Sequence, residues 1–255
     1  MHGKPARVIG PGIGEHAMEE IRINKYLSDR GICSRREADR LIREGKVLVD
    51  GKPAQTGMKI REDQIVVCDG KQEERPERVL LAVNKPRGIV CTTSDKDRAM
   101  NIVEMVRYPE RVYPVGRLDK DSEGLIFLTN QGDLVNRIMR GANDHEKEYV
   151  VQVGKTVTKE FARKMEAGVW LEDLNVTTKP CKVQITGKQE FHITLTQGLN
   201  RQIRRMCEAL GYDVRSLRRI RIMNVHLGNL KTGTFRKVTA QEYKVLTEML
   251  ETGRG

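Results

Sequence analysis

The chain has 255 residues, 32% of them charged and 38% hydrophobic, with a formal net charge of +11 and only four Phe and one Trp. That length suits one large domain or a medium domain with a small one, and the charge favours polyanionic partners over neutral or cationic ones. No apolar run approaches the ~20 residues of a membrane span, and the N-terminus lacks the apolar core of a secretion signal, so a cytoplasmic location is expected.

Residues 1–20 mix Gly, Pro and charge without periodicity and read as a flexible tail. Gly10, Gly12 and Gly14 have the look of a phosphate loop, but no strand precedes them. A compact module is expected over 21–70. Ile23, Tyr26 and Leu27 have helical spacing up to Gly31. Ser34-Arg35-Arg36-Glu37 has the form of a capping box opening a helix that Gly45 stops. Ala38, Leu41 and Ile42 form the inner face of that helix, leaving Arg35, Arg36, Arg40 and Arg43 outside. Val47–Val49 leads into the hairpin signal Asp50-Gly51, and Ile65–Cys68 into Asp69-Gly70. A polar linker, 71–78, follows.

Over 79–255 the pattern is of an α+β domain. Val79–Val83, Ile89–Thr92, Leu125–Thr129, Tyr149–Val153, Val183–Thr186, Phe191–Leu195 and Ile220–Leu227 read as strands. Helices are expected near 101–107, 132–140, 158–167, 201–210 and 240–251. Strands often follow one another directly, which favours a mixed, largely antiparallel sheet with flanking helices over a doubly wound parallel one.

Two segments concentrate polar chemistry. Gly116–Leu125 is the densest polar stretch, set between the apolar Val112–Val115 and the apolar strand Leu125–Thr129. A charged loop anchored at both ends suits catalysis, although spacing alone also fits a hydrated turn. Between Gly198 and Ile222 stand seven Arg against one Glu and one Asp. Arg201, Arg204 and Arg205 avoid the apolar stripe of Ile203, Met206, Cys207 and Leu210. Guanidinium forks match phosphate oxygens, so these arginines favour phosphate contact over the solvated face that a charge run usually forms. The five cysteines include no Cys-x-x-Cys pair, which argues for reduced thiols. The five histidines are dispersed. His145-Glu146 begins like a zinc-protease motif, but Tyr149 stands where its second His is required, so no metal site is expected.

These residues carry a resemblance. Gly116–Leu125 resembles the catalytic motif of pseudouridine synthases, in the branch that modifies ribosomal RNA. Asn84–Gly88 looks like that branch's substrate-loop motif, and Lys147-Glu148-Tyr149 its tyrosine motif. Gly198–Met206 with Leu217-Arg218-Arg219 resembles its arginine and leucine motifs, and residues 21–70 are similar to the alpha-L RNA-binding module that often precedes the catalytic domain. Asn200–Glu208 and Arg221–Val225 look most like the large-subunit enzymes of the branch.

The resemblance implies cofactor-free isomerisation of uridine in structured RNA, most of all large-subunit ribosomal RNA. The same chemistry on small-subunit ribosomal RNA or transfer RNA, and a non-catalytic RNA-binding assembly factor, are the competing readings. It implies that Asp119 is the essential carboxylate, paired with Arg204, whose other reading is phosphate binding alone. Tyr149 and Leu217 pack on the base, each otherwise a core residue, and Tyr149 is also placed to help remove the carbon 5 proton. Arg117 fills the space of the extruded nucleotide, and Lys85 belongs to the substrate loop. Asp121 stands at a non-motif position and receives no role. Arg35, Arg36, Arg40 and Lys46 of the module, with Arg201 and Arg205, are expected to hold RNA. The protein is expected to be a monomer.

Overall fold

A computed structural model describes residues 20–61, 64–69, 71–72, 77–91, 99–139 and 145–252. The expected N-terminal tail up to residue 19, linker residues 73–76 and the second turn glycine at 70 lie outside these residues. The chain divides into two compact units, Met1–Ser28 with Cys33–Glu74 and Asp29–Ile32 with Arg75–Gly255.

In the smaller unit β1 (Ile21–Arg22) leads into α1 (Ile23–Asp29), and α2 (Arg35–Arg43) follows. β2 (Val47–Val49), β3 (Lys52–Pro53), β4 (Lys59–Ile60), β5 (Val66–Cys68) and β6 (Lys71–Gln72) complete it. A four-stranded sheet has the order β3-β2-β5-β6, and β1 pairs with β4. Asp50 and Gly51 both take positive φ, 48° and 77°, as the tight hairpin between β2 and β3 requires. The apolar stripe of α2, Ala38, Leu41 and Ile42, is buried with Val47, Val49 and Val66. Only half of the expected capping box forms. Ser34 Oγ accepts from the Glu37 amide at 3.1 Å, but the Glu37 carboxylate turns to Arg40 instead of back to the N-cap. An arginine three residues on is a stronger partner than a backbone amide.

In the larger unit the strands are β7 (Leu80–Lys85), β8 (Tyr113–Pro114), β9 (Glu123–Thr129), β10 (Lys147–Val153), β11 (Trp170–Leu171), β12 (Val176–Thr177), β13 (Lys182–Gly187), β14 (Glu190–Leu195), β15 (Val214–Ile222), β16 (Val225–His226) and β17 (Phe235–Lys237). The helices are α3 (Ile102–Val106), α4 (Gly132–Met139), α5 (Lys159–Ala167), α6 (Gln202–Ala209) and α7 (Ala240–Thr252). The main sheet runs β13-β14-β10-β15-β9-β7-β17, with β16 on β15 and β8 on β9. Every pair in it is antiparallel except β15 with β9. This is the mixed, largely antiparallel α+β arrangement expected.

β7 and β9 are covered on both faces. Leu80, Ala82, Leu125 and Phe127 pack with Leu134, Ile138 and Leu246, while Leu81, Val83, Ile126 and Leu128 pack with Ile102 and Val106. A third core joins Phe161 and Met165 of α5 and Met206 and Cys207 of α6 to Val151, Phe191, Ile193 and Leu217. The described residues contain no helix long and apolar enough to cross a membrane. All five cysteines are free thiols.

Two expected strands differ. Within Ile89–Thr92 only Val90 makes a bridge, to Asn101, and Thr92 lies outside the described residues. Both edges of β7 are already occupied by β9 and β17, so this apolar segment packs without joining the ladder. Ile220–Leu227 is broken by a turn in which Met223 has φ 51°. Its first part belongs to a longer strand beginning at Val214, which takes in the arginines 215–221.

Candidate active site

The loop before β9 is held from several sides. The Ser122 amide donates to the Asp119 carbonyl at 3.1 Å, closing a turn, and the Gly88 amide donates to the Lys120 carbonyl at 2.7 Å. Leu118 is buried among the core residues beside β9, so its neighbours Arg117 and Asp119 are left at the surface. Gly124 has φ 103°, and a Cβ there would lie 2.2 Å from the Arg219 carbonyl oxygen. Only glycine lets β9 approach β15 this closely.

Lys85 is the main clamp on this loop. It is fully buried, and its Nζ donates to the Ser122 carbonyl at 2.8 Å and the Pro86 carbonyl at 2.9 Å. Burial pushes its pKa down, and Asp119 and Asp121 are among the groups opposing that shift. The expectation that Lys85 binds substrate is therefore corrected. Its side chain holds the loop from within and does not line the cleft.

The cleft has a volume of about 340 Å³ and is bordered by Arg117, Asp119, Lys147, Tyr149, Leu217 and Arg219, among others. Lys147, Tyr149 and Val151 alternate along β10 and share one face of the sheet. In the pairing with β15, Tyr149 faces Arg219 and Val151 faces Leu217. A bulge at Glu148/Tyr149 then shifts the register, so that Glu148 faces Arg221. Without it Arg221 and Arg219 would share a face. With it Arg221 turns to the opposite side, where its Nε donates to Glu148 and a terminal nitrogen to Glu146, each at 2.9 Å. Lys147 donates to the His145 carbonyl at 3.0 Å, and burial, followed by the Arg219 charge, brings its pKa down to about 8.

The arginines of α6 do not pair as expected. Arg201 donates to both oxygens of Asp121, at 3.0 and 3.1 Å, and lies 3.8 Å from Asp119 Oδ2. Arg204 Nε stands 3.3 Å from Asp121 Oδ2 but out of line for a hydrogen bond, and its terminal nitrogen donates to the Asp121 carbonyl at 3.1 Å. The expected Asp119–Arg204 pair is thus corrected: Arg204 is engaged by Asp121 and the backbone beside it, and Arg201 is the cation next to Asp119. Burial pushes the Asp121 carboxyl up, but the Arg201 hydrogen bonds and the Arg204 and Arg201 charges outweigh it and hold the group below its ordinary range. Arg205, expected at RNA, is tied to Asp173 and to the Asn200 carbonyl.

In the smaller unit Arg40 binds both Glu37 and Glu44, and Lys46 lies 3.0 Å from Glu44. Arg35 and Arg36 are exposed and have no carboxylate partner among the described residues. Among those residues no group of three or more His, Cys, Asp or Glu could hold a metal ion.

Residues 79–209 match the family model described as RNA pseudouridylate synthase, and residues 21–66 match the S4 domain. The chain belongs to the RNA pseudouridylate synthase family. It is 53% identical over 234 residues to the dual-specificity RNA pseudouridine synthase RluF of Escherichia coli (strain K12), covering 91% of this chain and 80% of that one. That agrees with the resemblance of Asn200–Glu208 and Arg221–Val225 to ribosomal large-subunit pseudouridine synthase F. It is 35% identical over 240 residues to ribosomal large subunit pseudouridine synthase B of Bacillus subtilis (strain 168), covering 91% and 98%. A crystal structure of pseudouridylate synthase matches with a TM-score of 0.66 and 28% identity, covering 89% of this chain and 99% of that one. This enzyme is therefore an RNA pseudouridine synthase, an isomerase acting on RNA.

Sequence reasoning placed Lys147 and Arg219 only inside motifs and the arginine run, and gave neither of them, nor Asp121, an individual role in the site. The first two had a legible signal, since Lys147 stands two residues before Tyr149 and Arg219 two after Leu217, the period that puts strand residues on one face. The partners of Asp121 depend on how loop and helix meet and had no such signal.

Proposed function

We propose that the enzyme isomerises a specific uridine in large-subunit ribosomal RNA, with Asp119 as its catalytic carboxylate and no cofactor. The observation that carries this is a half-exposed carboxylate on a pinned turn, facing a cleft that also presents Tyr149 and Leu217. The target uridine must leave its stack to enter, at a cost of a few kcal/mol that is smaller in a loop or bulge. Arg117, exposed and without a carboxylate partner among the described residues, is suited to the vacated space. Tyr149 and Leu217 flank the base. Asp119 then attacks the sugar carbon, attacks the base or removes a sugar proton, with Arg201 standing 3.8 Å from its Oδ2. Arg204 acts on this site through Asp121. The S4-like module docks RNA through phosphate contacts by Arg35 and Arg36, which position the substrate without reading bases. The enzyme works as a cytoplasmic monomer. A second reading, isomerisation at more than one RNA target, is favoured by the dual specificity named for the RluF relative.

Asp119→Asn keeps the shape of the side chain and removes the reacting charge. Tritium release from RNA labelled at uridine carbon 5 falls at least ~10²-fold, with RNA affinity within several-fold of the wild type. Near-normal release by the variant sinks the assignment. Activity survives exhaustive chelation in a buffer that keeps the RNA folded, and a loss restored only by one transition metal contradicts the cofactor-free reading.

A further inference from the structure

Two cations of the cleft take no part in holding the catalytic loop. Lys147 and Arg219 lie on one sheet face, on either side of Tyr149: Lys147 two residues before it on β10, Arg219 opposite it on β15. Among the described residues Lys147 Nζ makes a single hydrogen bond, to the His145 carbonyl, although an ammonium carries three donors. Arg219 is 5% exposed, its Nε donates to the Leu125 carbonyl at 2.6 Å, and its guanidinium carbon lies 6.0 Å from the centre of the Tyr149 ring. One of its terminal nitrogens is buried with no hydrogen-bond partner among the described residues. An unmet buried donor costs ~1–3 kcal/mol, more when charged, so a site that keeps one is prepared for an acceptor that arrives later.

The surrounding charges leave the two unneutralised. Glu146 and Glu148, the nearest acids in sequence, are engaged by Arg221, Lys182 and His192. Around the cleft stand Asp119, Arg117 and Arg201, and Arg201 is held by Asp121. Two like charges beside one aromatic ring repel, and the Arg219 charge is one of the two forces lowering the Lys147 pKa. A ligand that develops negative charge against Tyr149 relieves that repulsion and supplies the missing acceptor.

We propose that Lys147 and Arg219 stabilise the uracil when it detaches from its sugar, by donating hydrogen bonds to its carbonyl oxygens. The proposal rests on the reading that uridine reacts in this cleft with Asp119. When the bond from the sugar carbon to base nitrogen 1 breaks, its electron pair leaves with the uracil and spreads over nitrogen 1 and oxygens 2 and 4. The sugar carbon is meanwhile held by a bond to the Asp119 carboxylate or, after Asp119 takes a neighbouring sugar proton, by a double bond within the sugar. The two cations meet that charge and transfer no proton. When carbon 5 bonds to the sugar carbon, the base gives up its carbon 5 proton and nitrogen 1 takes one. Nothing else is consumed. Fixed donors aimed at developing charge in a water-poor site are among the strongest catalytic devices.

The test is single-turnover tritium release from a large-subunit ribosomal RNA transcript labelled at uridine carbon 5, with enzyme in excess. Lys147→Met lowers the maximal rate constant by roughly 10²-fold, with half-saturation within several-fold of the wild type. Lys147→Arg recovers most of the rate. In the wild type the rate falls as pH rises past about 8, where Lys147 loses its proton, and Lys147→Arg moves that limb upward. Arg219→Gln has a comparable effect, and Arg219→Lys a smaller one. If Arg219→Gln does not fold, as judged by thermal melting, Lys147→Met carries the test, because its side chain makes one hydrogen bond to a carbonyl. A wild-type maximal rate in either folded variant overturns the proposal. Asp119→Asn runs alongside: if it stays active, the cleft reading has failed, and if it is inactive while Lys147→Met is normal, only the present proposal has.

Discussion

Helix α2 and the cleft both gather basic side chains, but they use them differently. On α2 and just after it the cations are exposed, and Arg40 and Lys46 are neutralised by Glu37 and Glu44 within a few residues along the chain. In the cleft region the cations are held mostly by groups distant in sequence. Lys85 grips the carbonyls of Pro86 and Ser122, Arg201 and Arg204 converge on Asp121, and Arg219 anchors to the Leu125 carbonyl. An exposed pair contributes little and is screened by salt, whereas a cation fixed by buried acceptors has a defined position and acts where it is placed. The number of basic residues in a stretch therefore does not give the charge available to a substrate. What decides it is whether a partner is already engaged.

Substituting a held cation tests the first half of that contrast. Lys85→Met leaves two carbonyls without their donor, and the enzyme loses roughly 1–3 kcal/mol of stability as well as most of its turnover, since the turn carrying Asp119 is released. Denaturant melts and tritium release report the two effects, and a variant with normal turnover breaks the view of Lys85 as the loop's clamp.

Asp121→Asn tests the acceptor that holds two cations at once. It keeps hydrogen-bonding capacity but removes the charge facing Arg201 and Arg204, so the maximal rate falls about tenfold, equivalent to ~1.4 kcal/mol. The non-motif position of Asp121 led to the expectation that this substitution is nearly silent, and wild-type kinetics restore that view.

The smallest effects belong to the exposed helix. Arg35→Gln and Arg36→Gln each lower the slope of log affinity against log salt by ~0.7–0.9 at an unchanged maximal rate. Arg40→Gln changes the slope less, because Glu37 and Glu44 already occupy that guanidinium. Equal slopes for the three variants show that RNA displaces both carboxylates. A collapsed maximal rate at unchanged half-saturation moves this helix into the catalytic step.

Much of the fold was legible because its causes are local. The stripe Ala38, Leu41 and Ile42, the positive-φ turn at Asp50-Gly51 and the stop at Gly45 follow from side-chain period and backbone sterics within a few residues. The loop around Asp119 was legible for a similar reason, since its polar run stands out between apolar flanks. The strand at Ile89–Thr92 was misread because apolar content signals burial and not pairing, and β7 had no free edge to offer.

By itself the sequence determined most of the helices, strands and turns, which faces are apolar, and that polar residues concentrate in the loop around Asp119 and in the arginines of 198–222. Tertiary structure alone decided how those charges are paired: Lys85 turned inward as a clamp, Arg204 went to Asp121 rather than Asp119, and a single bulge sent Arg219 to the cleft and Arg221 to the opposite face. Propensity and period act over three or four residues, while the partner of a charge is chosen by the few ångströms that separate segments far apart in sequence, 94 residues for Arg219 and Leu125.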